Sequence, residues 1–234
     1  MAQSILGIET CSEDCSVAVI YQGKTLQLLS NEPRGHADNV LPMVDQLLAD
    51  FHIKLADLDA IAFTRGPGAF TGVRIGTSVA QGLSLATGLP LIAVSSLAVL
   101  AQGSYRETGL TNCLAALDAR MSEVYFGIYQ LNSSNIMVAT QDDQVASAEG
   151  LLCGNESSLS NDINKWQAQG PGWHNYSDVM KTRFKDWSLS WPEKLFNPKA
   201  SDLLTLAQWH FERGELLDPA DALPIYIRDQ VVRT

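Results

Sequence analysis

The sequence predicts an α/β protein built from two similar halves, each a mixed sheet covered by helices. Short apolar runs and amphipathic runs alternate, and the first half reads strand-strand-strand-helix-strand-helix-strand-helix. A unit of strand, acidic residue, polar turn and strand occurs twice, starting near residues 6 and 115. Between residues 58 and 87 a glycine-proline loop joins a buried strand to a helix rich in small residues.

Composition indicates an ordinary soluble protein. The chain has 234 residues, of which 46% are hydrophobic and 18% charged. We expect no signal peptide and no membrane span, because no long apolar run is present. The four cysteines form no Cys-x-x-Cys pair and are typical of reduced thiols. We therefore expect a cytoplasmic protein.

The charge argues against direct, tight RNA binding by this chain alone. The net charge is −10, from 16 Lys and Arg against 26 Asp and Glu, without a basic cluster. Proteins that grip RNA by themselves usually present a basic face, because phosphate contacts supply much of the affinity. The alternative that folding brings distant basic residues together into a patch stays open.

The first sixty residues predict an antiparallel meander and a helix. Three strands are expected, with Gln22-Gly23 as the turn between the last two. Asp38 or Asn39 is expected to cap the helix. An apolar stripe then recurs at helical spacing, formed by Val40, Val44, Leu47, Leu48 and Phe51.

The helix after the glycine-proline loop carries a stripe of small residues. We expect this helix from Val73 to Thr87, with Gly72, Gly76 and Ala80 spaced four apart on one face. A bare stripe lets another backbone approach closely. That backbone belongs either to this chain's own sheet or to another chain, and the two interpretations can coexist.

Later elements repeat the pattern of the first half. Residues Leu6–Glu9 align with Ala115–Asp118, as a duplicated ribonuclease-H-like domain would give. We divide the chain into lobes at 1–108 and 109–234, and a helix starting at Ala200 is expected to pack back on the first lobe. Between 131 and 200 the pattern is less legible, and Gly170–Trp173 is interpreted as a plain turn before a helix.

The two acidic turns resemble the phosphate loops of the actin-like ATPase and sugar-kinase superfamily. In that superfamily a carboxylate serves a metal and the adjoining turn cradles phosphate. The resemblance places one vestigial loop at Glu9, Thr10 and Ser12, and another at Asp118 and Arg120. An ordinary polar hairpin turn explains the same residues equally well.

The stretch Arg65-Gly-Pro-Gly-x-Phe-Thr-Gly-x-Arg-Ile-Gly76 resembles the signature of the bacterial tRNA threonylcarbamoyladenosine biosynthesis family TsaB, also called YeaZ. Arg34-x-His36 and Pro224-Ile-Tyr-Ile-Arg228 resemble the same family. The likeness is strong over about residues 5–129 and 219–228. It implies a duplicated actin-like fold of two lobes, each with a mixed five-stranded sheet.

The resemblance implies a noncatalytic scaffold that pairs with TsaD, its catalytic paralogue, and works with TsaE. The complex would transfer threonylcarbamoyl from threonylcarbamoyl-adenylate to N6 of the adenosine next to the anticodon in tRNA. The chain alone would hold no cofactor, with ATP or ADP confined to the complex. It would reach tRNA only through the complex and form a homodimer in isolation.

Catalytic and metal-binding motifs are missing from the sequence. TsaD carries a histidine pair on the helix after its fifth strand, where this chain has Ser96 and Leu100, and leucine cannot ligate a metal. No two histidines here lie three to five residues apart. We expect no metal site and no catalytic residue. Two enzymatic alternatives stay open: a nucleotide-dependent kinase or ATPase using Glu9 and Asp118, and, less favoured, a metallopeptidase.

Two helix faces are predicted to bind the partner. Because TsaD resembles this chain, its matching helices would complete a nearly isologous four-helix contact, which a homodimer would also use. We expect Gly76→Leu to leave the fold intact and to weaken TsaD binding. The predicted interface residues are His36, Val40, Val44, Leu47, Gly72, Val73, Gly76 and Ala80.

Overall fold

The computed structural model describes residues 3–32, 35–153, 165–192 and 194–227. They divide into two compact units. The first comprises Met1–Val99 with Pro198–Ile225, and the second Leu100–Asn197 with Tyr226–Thr234. The division thus falls near residue 99 rather than 108, and the segment holding the last helix belongs to the first unit.

The first unit contains a mixed sheet of five strands within the described residues. Its order is β3-β2-β1-β4-β5. The strands are β1 (Ile5–Glu9), β2 (Cys15–Tyr21), β3 (Lys24–Ser30), β4 (Ala60–Thr64) and β5 (Leu91–Val94). The first three form the predicted antiparallel meander, whereas β4 runs parallel to both β1 and β5.

The described residues form six α-helices, and those of the first half alternate with strands as the sequence predicts. They are α1 (His36–Phe51), α2 (Phe70–Thr87), α3 (Ser96–Thr108), α4 (Pro171–Asn175), α5 (Ser177–Arg183) and α6 (Ala200–Glu212). Among them, α1 and α2 cover one face of the first sheet and α6 covers the other. Strand alternation explains this, because Leu6 and Ile8 belong to the α1–α2 core while Gly7 faces α6 at Ala200 and Leu204.

Several predicted helix and turn signals are confirmed. Gln22 and Gly23 have φ of 49° and 78°, the left-handed geometry of a two-residue hairpin turn. Gly88 ends α2 at φ 76° and donates its N–H to Ser84 O. Ser95 Oγ accepts from Leu97 N at 3.2 Å, as a cap of α3 should.

The predicted cap of α1 is wrong. The helix begins at His36, ahead of Asp38 and Asn39, and its N-cap Gly35 has no side chain to offer. Asn39 instead donates from Nδ2 to Ser30 Oγ at 3.1 Å. A side chain used to join the helix to β3 is not available to cap it.

The second unit contains six strands in its described part, one more than predicted. They are β6 (Asn112–Arg120), β7 (Glu123–Leu131), β8 (Met137–Ala139), β9 (Gln144–Ser147), β10 (Trp166–Gln169) and β11 (Leu189–Ser190). The order is β11-β10-β6-β7-β8. The extra strand arises because β9 pairs the first half of β7 and β8 pairs its end. A core of aromatic rings fills this unit, including the buried Trp166, Trp173 and Trp187.

The two sheets share one topology, which confirms the predicted duplication. In each unit a central strand, β1 or β6, pairs antiparallel with the next strand and parallel with a later one. Each later strand leads into a Gly-Pro-Gly turn whose first glycine has positive φ, 101° at Gly66 and 108° at Gly170. Sequence analysis singled out both turns but not their equivalence.

Among the described residues, none of the helices combines the length and the hydropathy that a membrane span requires.

Candidate functional site

The turn after β1 encloses the Glu9 carboxyl group. Glu9 has no exposed surface. Its Oε1 accepts from Cys11 N at 2.7 Å and from Ser12 N at 3.2 Å, and its Oε2 lies 2.9 Å from Ser12 Oγ. Burial raises the pKa of Glu9 to about 8, against the opposing effect of these hydrogen bonds. A carboxyl group enclosed in this way differs from the open phosphate loop that the resemblance implied for Glu9, Thr10 and Ser12.

Helix α2 packs directly on this turn. Thr10 Oγ1 donates to Gly72 O at 2.8 Å, and Ala69 N donates to Cys11 O at 2.8 Å. A Cβ on Gly72 would overlap Thr10 O, and one on Gly76 would overlap Thr10 Oγ1. The predicted close backbone approach is confirmed, and the approaching backbone is this chain's own turn. The structure therefore contradicts the premise of the Gly76→Leu prediction, namely that Gly76 faces outward.

The side chains predicted to contact a partner are buried in the first unit. The apolar stripe of α1 packs on the chain's own sheet, and the small stripe of α2 packs on the turn. Burial against the sheet is the usual fate of an amphipathic stripe, because it removes the largest apolar area from water. The prediction that these side chains form the interface is corrected for His36, Val40, Val44, Leu47, Gly72, Val73, Gly76 and Ala80.

His36 joins α1 to the same turn. Its ring is buried, and Nε2 donates to Ser12 O at 3.1 Å. This histidine at a helix start therefore has a hydrogen-bonding role within the chain.

An open groove of about 420 Å³ runs along α2 beside the start of α1, which contributes Ala37 to its lining. Phe70 is 49% exposed, and the Arg74 guanidinium lies 3.6 Å from the centre of its ring. Leu41 is also exposed, one helical turn beyond Ala37, which lines the groove. The lining consists of Ala37, Phe70, Thr71, Arg74, Ile75, Ser78 and Val79.

Sequence reasoning did not single out Phe70, Arg74 or Leu41. Phe70 and Arg74 stand four apart at the start of α2 and inside the family-like motif. An aromatic residue followed one turn later by arginine is a signal for an exposed stacked pair. Exposed apolar side chains grouped around a groove are typical of a protein contact.

The second acidic turn is also occupied by its own neighbours. Asp118 accepts from Tyr176 Oη at 3.1 Å and from Asn175 Nδ2 at 3.3 Å, and the Arg120 guanidinium lies 3.1 Å away. Burial raises the pKa of Tyr176, and the hydrogen bond to Asp118 and the charge of that carboxylate raise it further. These contacts hold Asp118 in a side-chain network and leave Arg120 at the exposed hairpin end.

Glycines bring α4 against β6 as glycines bring α2 against the first turn. A Cβ on Gly172 would lie 2.9 Å from the Ala116 Cβ, and a Cβ on Gly170 would overlap the Ala116 carbonyl oxygen. The interpretation of Gly170–Trp173 as a turn leading into a helix matches this structure.

The described residues hold no group of three or more His, Cys, Asp or Glu side chains that could bind a metal ion. Ser96 and Leu100, the positions compared with the histidine pair of TsaD, are both buried. All four cysteines are buried, and burial raises the pKa of the Cys11 thiol to about 12.

Two motif segments that are distant in sequence meet in the first unit. Ile225 N donates to Arg65 O at 2.9 Å, and Gln81 Nε2 donates to the carbonyl oxygens of Pro219 and Ala222. The C-terminal segment therefore lies against the glycine-proline loop and α2. Arg34 and Arg228, which also carried the resemblance, lie outside the described residues.

Known proteins resemble this chain over nearly its whole length. Residues 31–204 match the model of a protein family described as TsaD: tRNA N6-adenosine threonylcarbamoyltransferase. The tRNA threonylcarbamoyladenosine biosynthesis protein TsaB of Escherichia coli K12 is 37% identical over 227 residues, which cover 97% of this chain and 95% of that protein. The protein of the same name from Haemophilus influenzae is 34% identical over 233 residues, covering 97% and 94%.

A solved structure agrees with these relatives. It is a Pseudomonas aeruginosa protein described as uncharacterised with similarity to the peptidase YeaZ. It shares 40% identity and a TM-score of 0.88 with this chain, covering 97% of this chain and 100% of that one.

Proposed function

This chain belongs to the TsaB family of tRNA threonylcarbamoyladenosine biosynthesis proteins, and we propose that it serves there as a noncatalytic subunit that binds TsaD. The complex, with TsaE, transfers threonylcarbamoyl from threonylcarbamoyl-adenylate to N6 of the adenosine beside the anticodon. ATP or ADP and tRNA are bound by the complex rather than by this chain alone. The net charge of −10 supports the last point.

The observation that carries the proposal is the groove between α1 and α2. Phe70 is half exposed and stacked under Arg74, an arrangement that places an aromatic and an arginine on one surface. Phenylalanine and arginine are both enriched in protein interfaces relative to the rest of the surface. We therefore propose that TsaD binds at this groove, on exposed residues of α1 and α2, the two helices that sequence analysis predicted to bind the partner. A homodimer in isolation would use the same surface.

The enzymatic alternatives receive less support. Glu9 is fully enclosed and Asp118 is engaged by Tyr176, Asn175 and Arg120, so neither turn offers an open phosphate cradle. The description of a structural neighbour as peptidase-like does not supply a metal-binding group among the described residues here.

Calorimetric titration of TsaD from the same source into variants of this protein tests the proposal. Phe70→Ala should weaken binding more than tenfold, because truncating a side chain at the energetic centre of an interface costs about 2 kcal/mol or more, and each 1.4 kcal/mol is about tenfold. Leu85→Ala is the matched control, since Leu85 is 74% exposed on α2 but does not line the groove. Unchanged affinity in folded Phe70→Ala would show that TsaD binds elsewhere.

A further inference from the structure

The turn Glu9–Asp14 is the junction of the two helices that form the groove. His36 at the start of α1 donates to Ser12 O. At the start of α2, Ala69 N donates to Cys11 O and Gly72 O accepts from Thr10 Oγ1. This one turn therefore contacts the first turns of both helices.

One hydroxyl group in the turn, that of Ser12, is shared between Glu9 and a backbone carbonyl. Ser12 Oγ lies 2.9 Å from Glu9 Oε2 and 3.1 Å from Asp14 O. A carboxylate oxygen and a carbonyl oxygen are both acceptors, and a hydroxyl group has a single proton to donate. If Glu9 is ionised, the single Ser12 hydroxyl proton is shared between these two acceptors.

A neutral Glu9 satisfies every contact. Its Oε2–H donates to Ser12 Oγ, and the Ser12 hydroxyl proton then goes to Asp14 O. Oε1 keeps its two backbone donors, Cys11 N and Ser12 N. In this arrangement each of the four contacts has one donor and one acceptor, and the fully enclosed Glu9 carboxyl group carries no charge.

The surroundings of Glu9 favour the neutral form as well. Among the described residues, the titratable groups that face it are the thiols of Cys11 and Cys15 and the carboxyl group of Asp14. From α1, His36 reaches the turn at Ser12 O rather than at the carboxyl group. Burial raises the pKa of Glu9 to about 8 and those of both thiols to about 12.

We propose that Glu9 is a positioning residue that carries a proton at neutral pH, and that its O–H···Ser12 bond holds α1 and α2 in the relation that the TsaD-binding groove requires. This inference rests on the proposed function. Glu9 resembles a phosphate-loop carboxylate in sequence, but here its role would be to shape a protein-binding surface.

The protonation is tested on the isolated full-length protein. Carbon-13 NMR of the glutamate carboxyl groups, assigned with Glu9→Gln, should show Glu9 titrating near pH 8 rather than near its ordinary value of 4.5. Since the folded pKa lies above the unfolded one, wild-type stability should fall as pH rises from 4.5 to 8 and then level off. Glu9→Gln should lack that decline. A Glu9 titration below about pH 5.5 would overturn the inference, and sequential assignment of the wild-type spectrum identifies the Glu9 signal if Glu9→Gln does not fold.

The positioning role is tested by TsaD binding between pH 7 and pH 9. If only the protonated form is competent, one pH unit above the titration point leaves about one molecule in eleven competent, so wild-type affinity should fall about tenfold. Glu9→Gln keeps a donor toward Ser12 Oγ and should bind within about threefold of wild type at pH 7, without the alkaline loss. Glu13→Gln, the same change at an exposed position of the turn, should follow wild type.

Two results would refute the positioning role. One is a tenfold loss in folded Glu9→Gln at pH 7, and the other is an alkaline loss equal to that of wild type. If wild type binds no TsaD at any pH, the proposed function fails and the positioning role fails with it, while the NMR titration still decides the protonation of Glu9.

Discussion

Replacing Gly72 by alanine should destabilise the protein, whereas the same change at Gly82 should stabilise it. Both glycines lie within α2. A Cβ on Gly72 would overlap the Thr10 carbonyl oxygen, a backbone atom that cannot swing aside. A Cβ on Gly82 would meet nothing within 4 Å. The pair therefore isolates the contact between α2 and the turn from the intrinsic helix preference of alanine.

The magnitudes follow from the two environments. Alanine gains about 1 kcal/mol over glycine in a helix, and Gly82→Ala should realise most of it. At Gly72 the same gain is offset by overpacking of about 1–3 kcal/mol. Displacing the turn also weakens the hydrogen bonds Thr10 Oγ1 to Gly72 O and Ala69 N to Cys11 O, each contributing about 1 kcal/mol. The net loss is about 2 kcal/mol, so the two variants should differ by about 3 kcal/mol.

Thermal unfolding followed by circular dichroism measures this difference. At about 2–4 °C per kcal/mol for a chain of this size, Gly72→Ala should melt about 6–12 °C below Gly82→Ala. Equal melting temperatures would refute the packing of the turn under α2. Such a result would favour the other interpretation of the small residues on α2, in which another chain covers them.

Three further outcomes are expected. Asp118→Asn should lower the pKa of Tyr176, because the change removes the carboxylate charge and a strong acceptor of the phenol proton. Phenolate absorbance measures this pKa, and an unchanged titration would contradict the contact between Tyr176 and Asp118. The thiols should resist Ellman's reagent in the folded protein and react fully in denaturant, since all four cysteines are buried; rapid labelling of the native protein would be inconsistent with this. Purified protein should hydrolyse ATP only at background rate, and steady turnover lost in both Glu9→Gln and Asp118→Asn would favour the ATPase alternative.

The order of strands and helices could be predicted from the sequence because the buried apolar residues of each element recur at a recognisable spacing. Strands β1 to β7 and helices α1 to α3 alternate short apolar runs with amphipathic ones, and Gly88 and Ser95 mark helix ends by their backbone requirements. The strands β8 to β11 were missed because they are at most four residues long and include polar residues such as Gln167 and Gln169. So short a run shows no dependable period.

For the candidate site, the sequence predicted the important helix but not which of its faces is exposed. The motif at 65–76 and the small stripe marked α2 as special, and the structure agrees that α2 is tightly packed. Periodicity identifies which residues share a helix face, but both a sheet and a partner can cover an apolar face. The stripe on α1 was therefore assigned to a partner when it belongs to the core, and the exposed Phe70 and Arg74 were overlooked.

The sequence alone determined the family and the duplicated α/β architecture, because motif spacing and hydrophobic period are local properties of the chain. Only the tertiary structure decided that Gly72 meets Thr10, residues sixty-two positions apart, and that the turn joins both helices. It also decided the state of Glu9, because the energy of a carboxyl group depends on the water it loses and on the donors around it. Those quantities exist only once distant segments have packed together.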